Sequence, residues 1–373
     1  MNRSSLSTTC LRWIGIAVFI IFVFNCTAMA AESTGYPRSI VDDAGREITI
    51  KMPIEKIIPL DSCAAKLLYL IGAQDKIIAI GDDVVSRSGY LPDIKNKQSV
   101  GTWHEYDYEL IGELARDGEK TAPNIVVLCT VNGMDPVKEI APALEGFPDV
   151  AVIGLDTFKT ENVTHDLEVL GVVLEKEDEV QKNIDWYNEK IAQVKSAVAG
   201  KSKPLVYNEM SSSKGTSELN SYGTTSSGNK LIEIANGYNV LREPKTYSKI
   251  SWEWVMTQNP DIIMKMGAVD TLGWAAAPSQ DAIGLENIIN EILSRPGAST
   301  LSAVKENRVY VVWNSILSGF DNVVGAAYLA KIFHPEIDLD PDEISREYMS
   351  RLGLDLPKDR ILVYPPIEES EGN

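Results

Sequence analysis

Residues 177–199 read EDEVQKNIDWYNEKIAQVKSAVA. Val180, Ile184, Tyr187, Ile191, Val194 and Val198 recur at alternating steps of four and three, so they form one apolar stripe along a helix. Asp178 and Glu179 stand in its first turn and Lys195 in its last, where the helix dipole favours those charges. Gly200 and Pro204 stop it. At about 1.5 Å per residue the helix spans roughly 30 Å, the width of a small domain.

The chain on either side of this helix follows one design. Lys66-Leu67-Leu68-Tyr69-Leu70-Ile71-Gly72-Ala73 is echoed by Lys230-Leu231-Ile232-Glu233-Ile234-Ala235-Asn236-Gly237. Asp107-Tyr108-Glu109 is echoed by Ser251-Trp252-Glu253, each a helix-capping residue, an aromatic and a glutamate. Pro123-Asn124-Ile125-Val126 has its counterpart in Pro260-Asp261-Ile262-Ile263, and the strand at 151–155 in that at 309–312. Strands alternating with helices argue for parallel α/β sheets. The expected architecture is α/β: two Rossmann-like lobes with parallel sheets, residues 31–176 and 200–373, joined by one long rigid helix at 177–199. In such sheets the ligand crevice lies at the carboxyl ends of the strands. Those ends are Asp61-Ser62-Cys63, Gly81-Asp82-Asp83, Thr130-Val131-Asn132, Asn208-Glu209, Met266-Gly267 and Trp313-Asn314. A binding site between the lobes follows.

Residues 1–30 read as an export signal: Arg3 and Arg12, an uncharged apolar run from Trp13 to Phe24, and Ala28-Met29-Ala30 as a small-x-small cleavage pattern. An uncleaved signal would serve as a membrane anchor. The net charge of −18 argues against nucleic acid and anionic lipid as partners. Beyond the signal only Cys63 and Cys129 are present, which excludes a disulfide scaffold and leaves a single bridge, two buried thiols or thiolate ligation open.

From about Ile40 to Glu336 the chain resembles the solute-binding proteins of importers for ferric siderophores, haem and cobalamin, the class III (cluster A) group. The resemblance is carried by VDDAGREITI and EKIIPLDSCAAKLLYLIGAQDKIIAIGDD near the start and SWEWVMTQNPDIIM in the second lobe. RPGASTLSAVKENRVYVV and LSGFDNVVGAAYLAKIFHPE carry it near the end. It implies a clamshell receptor outside the cytoplasm, not an enzyme and without a cofactor. Such a receptor captures a metal chelate and delivers it to a membrane permease driven by a cytoplasmic ATPase. A glutamate on each lobe docks on the permease in that family, and Glu109 and Glu253 occupy the matching positions. A monomer is expected.

Candidate ligand contacts follow from the strand ends and the polar loops. Trp103, Tyr222, Trp274 and Trp313 offer planar faces for a macrocycle or aromatic chelator. Cys63, Asp83 and Asn132 follow strands. His104 is a candidate imidazole ligand to the chelated metal. Arg87, in a long polar loop, and Lys214 are candidate anion contacts. His165 and His334 read as structural. No Tyr/His/Glu cluster of the bare-metal type is present, which favours chelated or oxyanion cargo. Molybdate or tungstate, cobalamin, and an exported chelatase-like enzyme are the alternative readings. Gly223-Thr224-Thr225-Ser226-Ser227-Gly228-Asn229-Lys230 nearly spells a nucleotide-binding loop, but Asn229 displaces the lysine, so it reads as a glycine-serine loop running into a helix.

Overall fold

A computed structural model describes residues 35–103, 105–115, 125–130, 136–147, 150–267, 272–274, 282–358 and 360–367. The chain enters through a hairpin, β1 (Arg38–Val41) and β2 (Glu47–Ile50). Buried Asp42 organises its turn by accepting the N–H groups of Ala44 and Arg46 and the Arg46 guanidinium. The same carboxylate accepts Gly154 N–H at 3.0 Å, tying the hairpin to the sheet behind it.

That sheet is parallel. Its strands are β3 (Lys56–Pro59), β8 (Ile125–Thr130) and β9 (Val150–Leu155), in the order β3–β8–β9. Between β3 and β8 lie α1 (Ser62–Leu70), β4 (Ala79–Ile80), α2 (Asp82–Ser88), β5 (Gln98–Ser99), the hairpin β6 (Gly101–Thr102) and β7 (Glu105–Tyr106), and α3 (Tyr108–Ala115). α4 (Pro136–Leu144) precedes β9, and α5 (Val163–Leu174) follows it. Two expectations are corrected here. The strand expected at 77–80 shrinks to β4, with Ile77 only bridging Ile57. Arg87 lies on α2, not in a loop. That helix buries only Val84 and Ser88, too few residues to leave a readable period.

The long helix, α6 (Glu177–Ala197), is unbroken. Its expected stripe is buried, and a second stripe of Asn183, Trp186 and Lys190 is buried beside it. Beyond α6 the chain forms β10 (Leu205–Glu209), β11 (Leu219–Tyr222), α7 (Ser227–Ile234), β12 (Tyr238–Asn239), β13 (Tyr247–Ile250), α8 (Trp252–Gln258) and β14 (Ile262–Gly267). α9 (Ala282–Leu293), α10 (Ser302–Lys305), β15 (Val309–Trp313), α11 (Asn322–Phe333), α12 (Pro341–Arg351) and β16 (Val363–Tyr364) complete it. The sheet runs β13–β11–β10–β14–β15–β16, with β12 also on β10. Its parallel centre β10–β14–β15 repeats the order β3–β8–β9, and α1 and α7 each follow the first strand of their set.

One hydrophobic core runs through both halves, from Ile40 to Val363. Smaller cores cover the far faces, around Ile58, Val127 and Ile140 in the first half and Tyr207, Trp252 and Ile263 in the second. Burial on both faces is the condition that parallel sheets require. α6 touches the two halves in different ways. Asn183 Nδ2 donates to Leu70 O at 2.9 Å on the first side. On the other, Tyr187 Oη donates to Asn322 Oδ1 at 2.7 Å, and Trp186 Nε1 and Lys190 Nζ donate to Glu347 at 2.6 and 2.8 Å. The described residues from Tyr36 onward hold together as one compact unit.

Replacing Tyr187 by Phe strands the buried Asn322 acceptor and is expected to lower the unfolding free energy by about 1–3 kcal/mol. Ile184→Ala removes packing from the stripe and is expected to cost about 2–5 kcal/mol. Urea titrations of both variants check the pair; unchanged midpoints would mean that α6 does not brace the halves.

Candidate functional site

The strand ends of the two halves converge on a buried polar contact. Lys66 on α1 places its Nζ 2.7 Å from Asp321 Oδ1, just before α11, with the two side chains 2% and 0% exposed. Burial alone would lower the Lys66 pKa, but the adjoining Asp321 carboxylate outweighs it and the pKa is raised. Tyr348 Oη donates to the same Asp321 oxygen at 2.8 Å. Nearby, Gly319 rests on Cys63: a Cβ there would stand 2.9 Å from Cys63 Sγ, and its φ of +64° lies in the region glycine favours. Ser227 Oγ at the start of α7 donates to Phe158 O beyond β9.

Around this contact the rim is polar. Asp61 caps α1 by accepting Ala64 N–H at 2.9 Å, and burial pushes its carboxyl up to about 6. Asp83 accepts Ser62 N–H at 2.9 Å with one oxygen and holds Arg87 Nε at 2.8 Å with the other. The Arg87 guanidinium is thus fixed at the rim with its side chain 43% exposed. Half-buried Tyr222, at the end of β11 in the other half, has its pKa raised by burial while the Arg87 charge pulls it down. Asp83, Arg87 and Tyr222 are the expected contacts that the fold brings together.

Other expected contacts fall elsewhere. Trp274 is fully buried, edge-on to Trp313 with ring centroids 6.3 Å apart and 5.9 Å from Tyr348. Trp313 is itself 8% exposed, so this pair packs as a floor and presents no open wall. Trp103 sits at the exposed tip between β6 and β7. Among the described residues Cys63 is a free, buried thiol that burial pushes up to about 12. His104, Asn132, the Cys129 side chain and the export signal lie outside the described residues. His165 is exposed on α5, and His334 is buried at the end of α11 with its pKa lowered by burial.

The sequence reading missed the Lys66–Asp321 pair. A lysine inside the apolar run AAKLLYLI was its available signal, because such a lysine needs a buried partner. Asn208, named there only as a strand end, is fully buried on β10, and among the described residues neither of its amide atoms has a hydrogen-bond partner. Its neighbour Glu209 points to the opposite face. There it is held by Lys265 Nζ at 2.5 Å, Arg295 at 2.7 and 2.9 Å and Tyr207 Oη at 2.8 Å.

The repeated caps are present on both halves. Asp107 accepts Leu110 N–H at 2.9 Å before α3, and Ser251 accepts Trp254 N–H at 3.3 Å before α8. Glu109 and Glu253 each stand second in their helix and are exposed. Its own N–H and the Ser251 hydroxyl hold the Glu253 carboxyl below the usual range.

A sequence profile of the periplasmic binding protein family matches residues 57–314, from β3 to just past β15. The chain belongs to that family. It is 21% identical over 310 residues to the uncharacterized ABC transporter substrate-binding lipoprotein YvrC of Bacillus subtilis (strain 168), covering 81% of this chain and 87% of that one. The TroA-like periplasmic binding protein FepB of Veillonella parvula has the same fold, with a TM-score of 0.71 at 24% identity, covering 88% of this chain and 99% of that one. CeuE of Helicobacter pylori in a Ni-His complex gives 0.63 at 19%, covering 85% and 95%.

An acid beside the site gives it a pH signature. Asp166 on α5 is fully buried, and burial first, then the neighbouring Asp43, push its carboxyl up to about 10. In the unfolded chain the group ionises near pH 4. The folded state therefore keeps a proton that the unfolded state releases between about pH 4 and pH 10, so stability falls as pH rises through that window. Asp166→Asn is expected to melt higher than the native chain at pH 8, with the gain vanishing near pH 4. Thermal melts across that range check it; parallel profiles for the two proteins would rule it out.

Proposed function

We propose that this binding protein is the extracytoplasmic receptor of an ABC importer. It captures an anionic metal chelate of the ferric siderophore type where its two halves meet. It delivers the chelate to a permease that docks on Glu109 and Glu253. The carrying observation is Arg87, anchored by Asp83 on one half and lying within electrostatic reach of Tyr222 on the other. A planar guanidinium pairs with carboxylate or catecholate oxygens in a directional, charge-assisted way, and a phenol adds a donor and an aromatic face. The exposed glutamates at equivalent first-turn positions support two-point docking, since carboxylate–arginine pairs set register between partners. The apolar run at residues 13–24 supports export.

The cargo is tested by thermal shift over ferric citrate, a ferric catecholate, haem, cobalamin and molybdate, since a ligand that binds only the folded form raises the midpoint. A ferric chelate is expected to give the largest shift, and Arg87→Gln to abolish most of it. A dominant shift from uncharged cobalamin would overturn the anionic reading. For docking, the Glu109→Ala/Glu253→Ala protein is expected to bind cargo within about twofold of native, while uptake into permease-bearing vesicles falls roughly tenfold or more. Undiminished uptake would remove both glutamates from the docking role.

A further inference from the structure

The glycine-serine loop at 223–228 is built into the junction in a way its sequence does not announce. Ser226 is the N-cap of α7: its Oγ accepts Asn229 N–H at 3.1 Å and donates to Gly223 O at 2.8 Å. That cap leaves the N–H groups of Ser227 and Gly228 in the first turn, where a helix has no acceptor of its own for them. Ser227 at the same time reaches across to Phe158 O, so the helix start lies where the halves touch.

Directly beneath lies Asn208. A Cβ on Gly228 would stand 3.1 Å from Asn208 Nδ2, so only glycine lets the first turn of α7 lie directly against that amide. The neighbouring buried asparagines are fully engaged. Asn229 donates to Thr224 O and Glu233 and accepts from Asn239, whose own amide also donates to Tyr222 O. Asn208, equally buried, has a partner for neither atom among the described residues. An enclosed amide left unsatisfied at a strand end is costly unless something else meets it. An oxyanion held by the first-turn N–H groups would meet its Nδ2 donor, because helix N-termini concentrate donors and positive potential.

We infer that the start of α7, with Gly228 and Asn208, is an oxyanion subsite that takes a carboxylate or compact oxyanion group of the cargo. Arg87 and Tyr222 hold the remainder of the ligand at the rim. The inference rests on the anionic-cargo reading above and narrows it to one end of the ligand.

The full chain is titrated calorimetrically with molybdate and with ferric citrate, in the native form and as Asn208→Leu, Gly228→Ala and Arg87→Gln. Asn208→Leu removes the amide at similar volume, and Gly228→Ala pushes the first turn of α7 off it, so either reports if the other fails to fold. Both are expected to weaken the bound anion by about tenfold or more, the scale of a hydrogen bond to a charged group. The arm that binds tells whether the oxyanion is free or belongs to a chelate. If both variants bind as tightly as the native chain while Arg87→Gln loses binding, the subsite is overturned and the anionic-cargo reading stands; the amide then serves only an internal water. If no anion binds the native chain, both fall together.

Discussion

Lys66 and Asp321 face each other across the two halves with almost no exposure to water. A buried ion pair adds little net stability compared with an apolar pair. Removing one partner, however, leaves a charge that the interior does not tolerate. The surroundings fit that constraint, because Tyr348 donates to the same carboxylate and a single core runs on both sides of the pair. The halves therefore do not part at their base without separating these charges and opening apolar surface. Arg87, Tyr222 and the start of α7 stand at the rim, away from this pair.

The duplicated strand order turns this junction into a site. In each half a parallel trio carries a helix after its first strand, and that helix begins at the junction, capped by Asp61 on one side and Ser226 on the other. The alternation of β10 then assigns different tasks to adjacent residues. Glu209 is locked on one face by Arg295, Lys265 and Tyr207, and that rigid anchor holds Asn208 on the other face beneath Gly228. The same duplication places Glu109 and Glu253 at the same helical position on opposite halves.

Much of this frame is legible in the chain because it depends on local rules. The stripe on α6, the caps at Asp107 and Ser251, and the apolar runs of β8 and β14 each follow from spacing or from one side chain bonding nearby backbone. Features set by tertiary partners are not legible. Trp186 and Lys190 look like solvent-facing residues until Glu347 on α12 meets them. Trp274 follows a strand and suggests a ligand wall, yet Trp313 and Tyr348 enclose it. The helix carrying Arg87 hides in DDVVSRS because one face packs on only two buried residues. The family resemblance compensated for part of this, since it rests on the order of pieces and not on any one contact.

A receptor with a net charge of −18 is a strange captor for an anion only if charge acts at long range. At physiological ionic strength potentials decay over a Debye length of about 8 Å, and the solvated acids that make up much of that total, such as Glu189 and Glu218, are screened accordingly. Inside the junction screening is weaker, and the deciding groups there are few. Asp166 holds its proton, Asp61, pushed up to about 6, is still largely ionised near pH 7, Asp321 is matched by Lys66 and Asp83 by Arg87. What a ligand meets as positive is therefore local: the half-exposed donors of the Arg87 guanidinium and the start of α7. On the anionic-cargo proposal, a surface that repels loose anions favours a ligand large enough to fill the gap, because only extensive contact offsets the approach.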